Sequence, residues 1–555
     1  MHRIHAAIRP FLILIATLML LSDAVDAQTH PDWARNLGMY EVNVRQYTPE
    51  GTFAAFETHL DRLQNLGAGI LWLMPVHPIG RQNRLGTLGS YYSVRDFLDI
   101  NPEFGTREDF RRLVQEIHAR GMYVIMDWVP NHTSWDNPLT TEHPQWYAKD
   151  AGGNFIPPPG TNWSDVIQLD HSQQGLRDYM VDAMTYWVEE FGIDGFRFDA
   201  AGFVPMDFWQ EVLPRMREVR PDLLMLAEDN GPEFHEAGFD MTFGWDYYGF
   251  GQGVLKRIAN GSGNANDLAA YVVNQISTYP DDAWRLYFTS NHDENSWYGT
   301  TRELFGDAAE VLALLTGTFH GMPLIYSGQE AGLDKRLAFF DKDLIPWRDH
   351  PNFTLYRTLF ELKRNNRALW NGHHGGNLQR ITTNHNTSVF AFTREKDGDR
   401  IFAAMNLRNT TLDVLFLGTA YAGAYEDAFS GDPVELAGSS RFILPPYGYV
   451  VYHQTAGTVS VPSEAGRPKR FTLDQNYPNP FNPTTTITYT LPESGQVTIG
   501  VYRINGQRVS VIENGVRASG THSVTWDATG LASGVYLYRI RAGDYSAVKK
   551  MLMVK

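Results

Sequence analysis

Between residues 36 and 366 the sequence alternates short apolar runs of strand length with longer stretches of helical spacing. The strand candidates are Met39–Val44, Gly69–Met74, Met122–Asp127, Ile193–Asp199, Leu223–Glu228, Phe239–Phe243, Arg285–Ser290 and Pro323–Ser327. Between them run apolar stripes such as Phe53, Phe56, Leu60, Leu63 and Leu66, or Leu176, Met180, Met184, Trp187 and Phe191. Thr106, with Asp109 three residues on, marks the start of the helix that carries Phe110, Leu113, Val114 and Ile117. Parallel strands need crossover helices, so this rhythm predicts an α/β fold, a (β/α)8 TIM barrel over residues 28–370.

One gap breaks the rhythm. After Asp127 no helix is expected until about Gly175, and the stretch is rich in Pro, Asn, Gly and Trp, including Pro157-Pro158-Pro159-Gly160. A loop of that length in a compact fold is usually functional, so a small subdomain is expected at about 131–172. Its aromatics, Trp135, Trp146, Tyr147 and Trp163, suit either sugar platforms or the subdomain's own core. From 371 to 455 the period changes to that of strands, which predicts an antiparallel β-domain. Residues 456–469 then read as a linker, and 470–555 as a further all-β, sandwich-like unit.

The start of the chain reads as an export signal over 1–27: Arg3 and Arg9 precede an apolar run, Phe11 to Leu21, and Ala27 closes a cleavage site. The run is too short to span a bilayer and no later segment qualifies, so no integral membrane span is expected. Net charge is −16, which is the wrong sign for a nucleic-acid partner. The absence of Cys excludes disulfides, thiol catalysis and thiolate metal sites.

Chemistry gathers at the strand ends. Arg197 and Asp199 lie two apart in a strand and so point the same way. Alone, they fit a structural ion pair as well as a catalytic carboxylate held by a cation. Other strands end alike, in Asp127-Trp128-Val129-Pro130-Asn131-His132, Leu226-Ala227-Glu228 and Ser290-Asn291-His292-Asp293. So many ionisable groups in one barrel mouth oppose folding, which favours a functional origin. Glu228 follows an apolar strand, so burial is expected to raise its pKa, while Arg197 is expected to keep Asp199 ionised.

These segments, with Gly67–Val76 and Gly321–Glu330, resemble in their order the α-amylase family of glycoside hydrolases, family 13, over roughly residues 36–455. The resemblance implies a retaining hydrolase of α-1,4-glucans, with Asp199 as nucleophile, Glu228 as general acid/base and Asp293 binding sugar hydroxyls. It further implies that Arg197 positions Asp199, that His132 and His292 bind the same sugar, and that Tyr92 stacks under it. Asp127 and Asn131 would support the site. Where many members continue with Lys-His, this chain has Gly202-Phe203, and Asp165–Asp170 departs from the commoner Pro-Asp-Leu-Asn form. No cofactor is needed for the chemistry. A structural Ca2+ would retain Asn131 as a ligand, and the departures argue against it. The alternatives are a transglycosylase, a cyclodextrin- or maltooligosaccharide-trimming enzyme, or a non-catalytic carbohydrate-binding relative.

The turn-rich run Asn476-Tyr477-Pro478-Asn479-Pro480-Phe481-Asn482-Pro483, with Val501–Gln507, Gly534–Tyr538 and a basic end (Lys549, Lys550, Lys555), resembles the type A sorting domain of the type IX secretion system. That implies the secretion machinery as partner and an extracellular or surface destination through the periplasm. A starch-binding sandwich is the competing reading, and only Trp526 is present to serve it.

Overall fold

A computed structural model describes residues 30–249, 253–455, 471–492, 495–503, 507–517, 520–543 and 545–554. The expected signal 1–27, the linker 456–469, residues 504–506 and Lys555 lie outside the described residues. The chain divides into two compact units, Met1–Thr458 and Val459–Lys555.

In the first unit β1 (Met39–Val42), β2 (Ile70–Leu73), β3 (Tyr123–Trp128), β4 (Gly195–Phe198), β5 (Leu224–Ala227), β6 (Met241–Phe243), β7 (Trp284–Phe288) and β8 (Met322–Tyr326) form a closed parallel barrel, β8 returning to pair with β1. Apart from the first residue of β3, every strand residue is buried, as expected of strands covered on both faces. Gly195 permits the close approach of β4 to β5: a Cβ there would lie 2.1 Å from the Leu224 carbonyl oxygen.

The helices follow the apolar stripes. Arg107–Ala119 begins with a capping box in which Thr106 and Asp109 bond reciprocally, and it buries Phe110, Leu113, Val114 and Ile117. Burying each such side chain contributes roughly 1.5–3 kcal/mol, so truncating Phe110 to Ala would cost about 3–5 kcal/mol. The stripe from Phe53 to Leu66 forms two helices, Phe53–Glu57 and Leu60–Leu66. The break lies at Thr58, whose hydroxyl donates to the Ala55 carbonyl at 2.7 Å, and at His59, whose ψ is 0°.

After β3 the chain forms a two-stranded pair, His132–Ser134 with Val166–Gln168. Trp146 and Tyr147 are buried there and serve as core, whereas Trp163 lines the cleft described below. Residues 379–454 form antiparallel strands that share Phe390, Phe392 and Met405 with the barrel core and pack a second cluster around Phe402, Phe416 and Tyr452.

The second unit has a three-stranded and a four-stranded antiparallel sheet. Alternate residues of each, Ile487, Tyr489 and Leu491 on one and Val497, Ile499 and Val501 on the other, contribute to one core, as in a β-sandwich. Trp526 is buried in that core. No described helix is long and apolar enough to cross a membrane.

Candidate active site

The carboxyl ends of the barrel strands open into a cleft of about 550 Å³, lined among others by Tyr92, His132, Asp199 and Asp293. The β-ladder itself assembles the site. Asp127 and Arg197 are register partners on β3 and β4. The ladder then runs one residue past the strand ends: Asp199 N–H donates to the Trp128 carbonyl (2.8 Å) and Glu228 N–H to the Phe198 carbonyl (3.0 Å). Asp199 and Glu228 therefore emerge side by side.

Arg197, 0% exposed, is the hub. Its Nη1 donates to Asp127 Oδ1 (2.8 Å) and Asp199 Oδ1 (3.1 Å), and its Nη2 lies 2.5 Å from Glu228 Oε1. Trp72, Tyr92 and Phe243 surround the guanidinium, with ring centroids 5.0, 5.7 and 5.6 Å away. The side chains of Asp199 and Glu228 keep 12% and 15% of their surface open, enough for a ligand to reach both. Ala200 takes a left-handed φ of 45°, rare for a residue with a Cβ, and its N–H donates to Glu228 Oε2 at 2.7 Å.

Burial raises the pKa of both Asp199 and Glu228; the Glu228 charge adds to the rise at Asp199, and Arg197 opposes it at each. This revises the expectation that Arg197 would hold Asp199 ionised by itself. One guanidinium shared among three carboxylates does not offset the desolvation, and the two carboxyls titrate as a pair.

Tyr92 hydroxyl donates to Asp127 Oδ2 (3.0 Å) and lies 2.8 Å from His292 Nε2; the two rings stack at 5.3 Å. His292 Nε2 is 3.4 Å from Asp293 Oδ2, and Asp293 Oδ1 accepts the Trp297 indole N–H at 3.1 Å. His132 is buried, which pushes its pKa down to about 3 and keeps it neutral. The residues expected from the strand ends thus converge: Tyr92, His132, Asp199 and Asp293 line one cleft, with Arg197, Glu228 and His292 bonded into the same network. Three contributors were not expected. Glu41 is a charged residue inside an otherwise apolar strand, a signal the sequence does carry. Trp72 donates to Asp127 Oδ2 at 3.1 Å, and Trp297 stands four residues after Asp293; neither is distinguishable from core aromatics before folding.

The suggestion of Asn131 as a Ca2+ ligand needs correction. Asn131 Nδ2 is 3.1 Å from His132 Nδ1, and three oxygens converge on the amide nitrogen of Gln168: Asn131 Oδ1 (2.9 Å), Asn131 O (3.1 Å) and Leu169 O (3.0 Å). A neutral N–H donor fills the place where a cation would gather those oxygens. Calcium takes six to eight oxygens, waters included, and the three protein oxygens gathered here already face an N–H donor. The residues present do not fit calcium.

Comparison with known proteins agrees with this geometry. The profile for "alpha amylase, catalytic domain" matches residues 41–350, that for "maltogenic amylase, C-terminal domain" residues 379–451, and that for "secretion system C-terminal sorting domain" residues 475–555. An alpha-amylase, MalA, of Haloarcula japonica is 29% identical over 349 residues, 60% of this chain; the aligned part spans about half, 49%, of that relative. A cyclomaltodextrinase of a Bacillus species is 26% identical over 441 residues, 69% of this chain and 74% of its own. Among solved structures, an alpha-amylase from Lactobacillus plantarum is 31% identical with a TM-score of 0.66, the match covering 76% of this chain and all of that one. A noncanonic maltogenic alpha-amylase from Thermotoga neapolitana is 28% identical with a TM-score of 0.68, over 76% of this chain and 99% of its own. By its barrel, its strand-end carboxylates and these matches, the chain belongs to the alpha-amylase family of glycoside hydrolases.

Proposed function

We propose that the protein is a secreted, retaining α-glucan hydrolase that cleaves α-1,4 bonds through a covalent glycosyl-enzyme. The observation that carries this reading is the pairing of Asp199 and Glu228 on adjacent strand ends, both open to the cleft and sharing Arg197. Asp199 attacks the anomeric carbon while Glu228 gives its proton to the departing oxygen. Water then attacks the glycosyl ester, Glu228 takes the water's proton, and Asp199 leaves as carboxylate. To reach the bond, Glu228 exchanges its Arg197 and Ala200 contacts for the leaving oxygen. Arg197 then belongs to Asp199 and Asp127, which favours the ionised nucleophile. Asp293, His132 and His292 bind hydroxyls of the sugar attacked, and Tyr92 supplies the ring beneath it.

An aromatic pair supports a second reading, transfer to an acceptor sugar. Phe203 is 51% exposed, and its ring lies 5.6 Å from Trp163. Gly202, next to it, is packed so that a Cβ would meet Oδ2 of Asp229, the neighbour of Glu228, at 2.2 Å, and Trp163 lines the cleft beside His132. Phe203 stands where many members have His, and its exposed apolar face suits stacking on a leaving or accepting sugar. Export through the type IX machinery is part of the reading and is supported by the sorting-domain match; removal of the C-terminal unit and the division of the chain into 28–370, 371–455 and 470–555 belong to the same proposal.

The test is proton NMR of the products released from maltooligosaccharides, with Asp199→Asn as control. An α-configured product that is absent in the variant is expected. A β-configured first product, or an undiminished variant, overturns the assignment; products longer than the substrate favour the transfer reading.

A further inference from the structure

Glu41 projects from the middle of β1, fully buried, and its Oε1 lies 2.5 Å from His292 Nδ1. Its register partners are Trp72 on β2 and Tyr326 on β8, neither of them a cation. Its second oxygen, Oε2, has no hydrogen-bond partner among the described residues. A buried carboxylate with one oxygen unpaired weakens a fold, so a purely structural role explains this residue poorly.

Donor accounting fixes the state of the ring it touches. Asp127 accepts from Trp72 and Tyr92 at Oδ2 and from Arg197 at Oδ1, and the adjoining guanidinium favours its carboxylate form against burial. The single hydroxyl proton of Tyr92 therefore points to Asp127. At 2.8 Å the same hydroxyl oxygen can only accept from His292, so Nε2 carries a proton. On its other side, Nδ1 faces Glu41 across a short contact that also requires a proton. His292 is thus doubly protonated, or shares its Nδ1 proton with Glu41. In either case Nε2 is an obligate donor.

The geometry points to Glu41 as a positioning residue that locks His292 as an Nε2–H donor toward the sugar-binding end of the site. The charged and titratable groups facing His292 are Glu41, Tyr92, Asp127, Arg197, Glu228 and Asp293, with Tyr326 behind Glu41. Burial opposes charge on the ring, but Asp293 and Glu41 outweigh it and push its pKa up to about 9. Without Glu41, the ring would lose one of the carboxylates that oppose burial and Arg197, leaving Asp293, Asp127 and Glu228. The ring would then lose its second proton at lower pH, and its tautomer would be free to change.

The kinetic arm of the test rests on the hydrolase reading. In Glu41→Gln, kcat/KM at neutral pH should fall roughly ten- to hundredfold, as for other buried imidazoles that lose their orienting carboxylate. The alkaline limb of the pH profile should move down by about one unit or more. Glu41→Asp, too short to reach Nδ1, should not restore it. A folded Glu41→Gln protein whose pH profile superimposes on that of the wild type would overturn the inference. A second arm needs no turnover. Nitrogen-15 shifts of His292 in the full-length wild-type chain, assigned against His292→Asn, should show both nitrogens protonated at pH 7. A neutral tautomer with a bare Nε2 would sink the inference even if the enzyme were fully active. If no substrate turned over, the shifts would still decide the role of Glu41, separating its failure from that of the hydrolase reading.

Discussion

The floor and the rim of the cleft are built on opposite principles. On the floor, Glu41, Asp127, Arg197 and His292 are almost completely buried and bonded into one network, with Glu41 Oε2 and Arg197 Nε left unpartnered among the described residues. On the rim, Trp297, Phe203 and Tyr298 leave about half of their surface to solvent, at 48%, 51% and 52%. The floor concentrates charge where water is excluded, which destabilises the fold and strengthens each interaction with a reacting bond. The rim exposes apolar faces, which only a ligand could cover. On the proposed function the contrast is a division of labour: the floor would determine the reaction, and the rim which chain is held while it happens.

Asp199→Asn is the most severe way to break this contrast. It should reduce kcat by at least about 10⁴-fold, the scale of removing a nucleophile. It should also stabilise the protein at pH 7, by about 0.5–2 kcal/mol in a thermal or urea melt. The sign follows from the raised pKa of Asp199. A carboxyl whose folded pKa lies above its unfolded value of about 3.9 makes the fold less stable as pH rises through that interval. The variant's advantage should therefore grow as pH rises above about 4 and vanish below it. A variant less stable at pH 7 would mean that the floor carries no such strain.

Rim substitutions should act on binding alone. Trp297→Ala and Phe203→Ala should each raise KM for long maltooligosaccharides about two- to tenfold, the worth of one aromatic contact. Their kcat should stay within about twofold. Trp297 also donates to Asp293, so a large kcat loss in Trp297→Ala, spared in Phe203→Ala, would show that the floor extends to it. The smallest expected effect is none at all. With the Gln168 amide already holding the Asn131 and Leu169 oxygens, EDTA or added Ca2+ should leave Tm unchanged within about 1 °C. A chelator-induced drop would contradict the correction made at Asn131.

Much of this architecture was legible before folding, because its signals are local. Strand and helix periods located the barrel strands within a few residues, and the Thr106 box lay where its spacing puts it. Asp127, Asp199, Glu228 and Asp293 stood out because each ends an apolar run. The short strands Gly423–Asp427, Pro433–Leu436 and Arg441–Leu444 were missed. Their alternation is diluted by exposed positions on both faces.

What the sequence by itself determined is the set of groups and their order: eight apolar strands, the polar residues that end them, and a turn-rich β unit after residue 470. Those are properties of short windows, set by side-chain period and hydrophobic pattern. Only the tertiary structure decided how the groups share charge and protons. That one guanidinium serves three carboxylates, that Gln168 takes up the oxygens near Asn131, and that Glu41 meets His292 across 251 positions of chain all depend on distances and on burial. Both arise only when the barrel closes and water leaves its mouth.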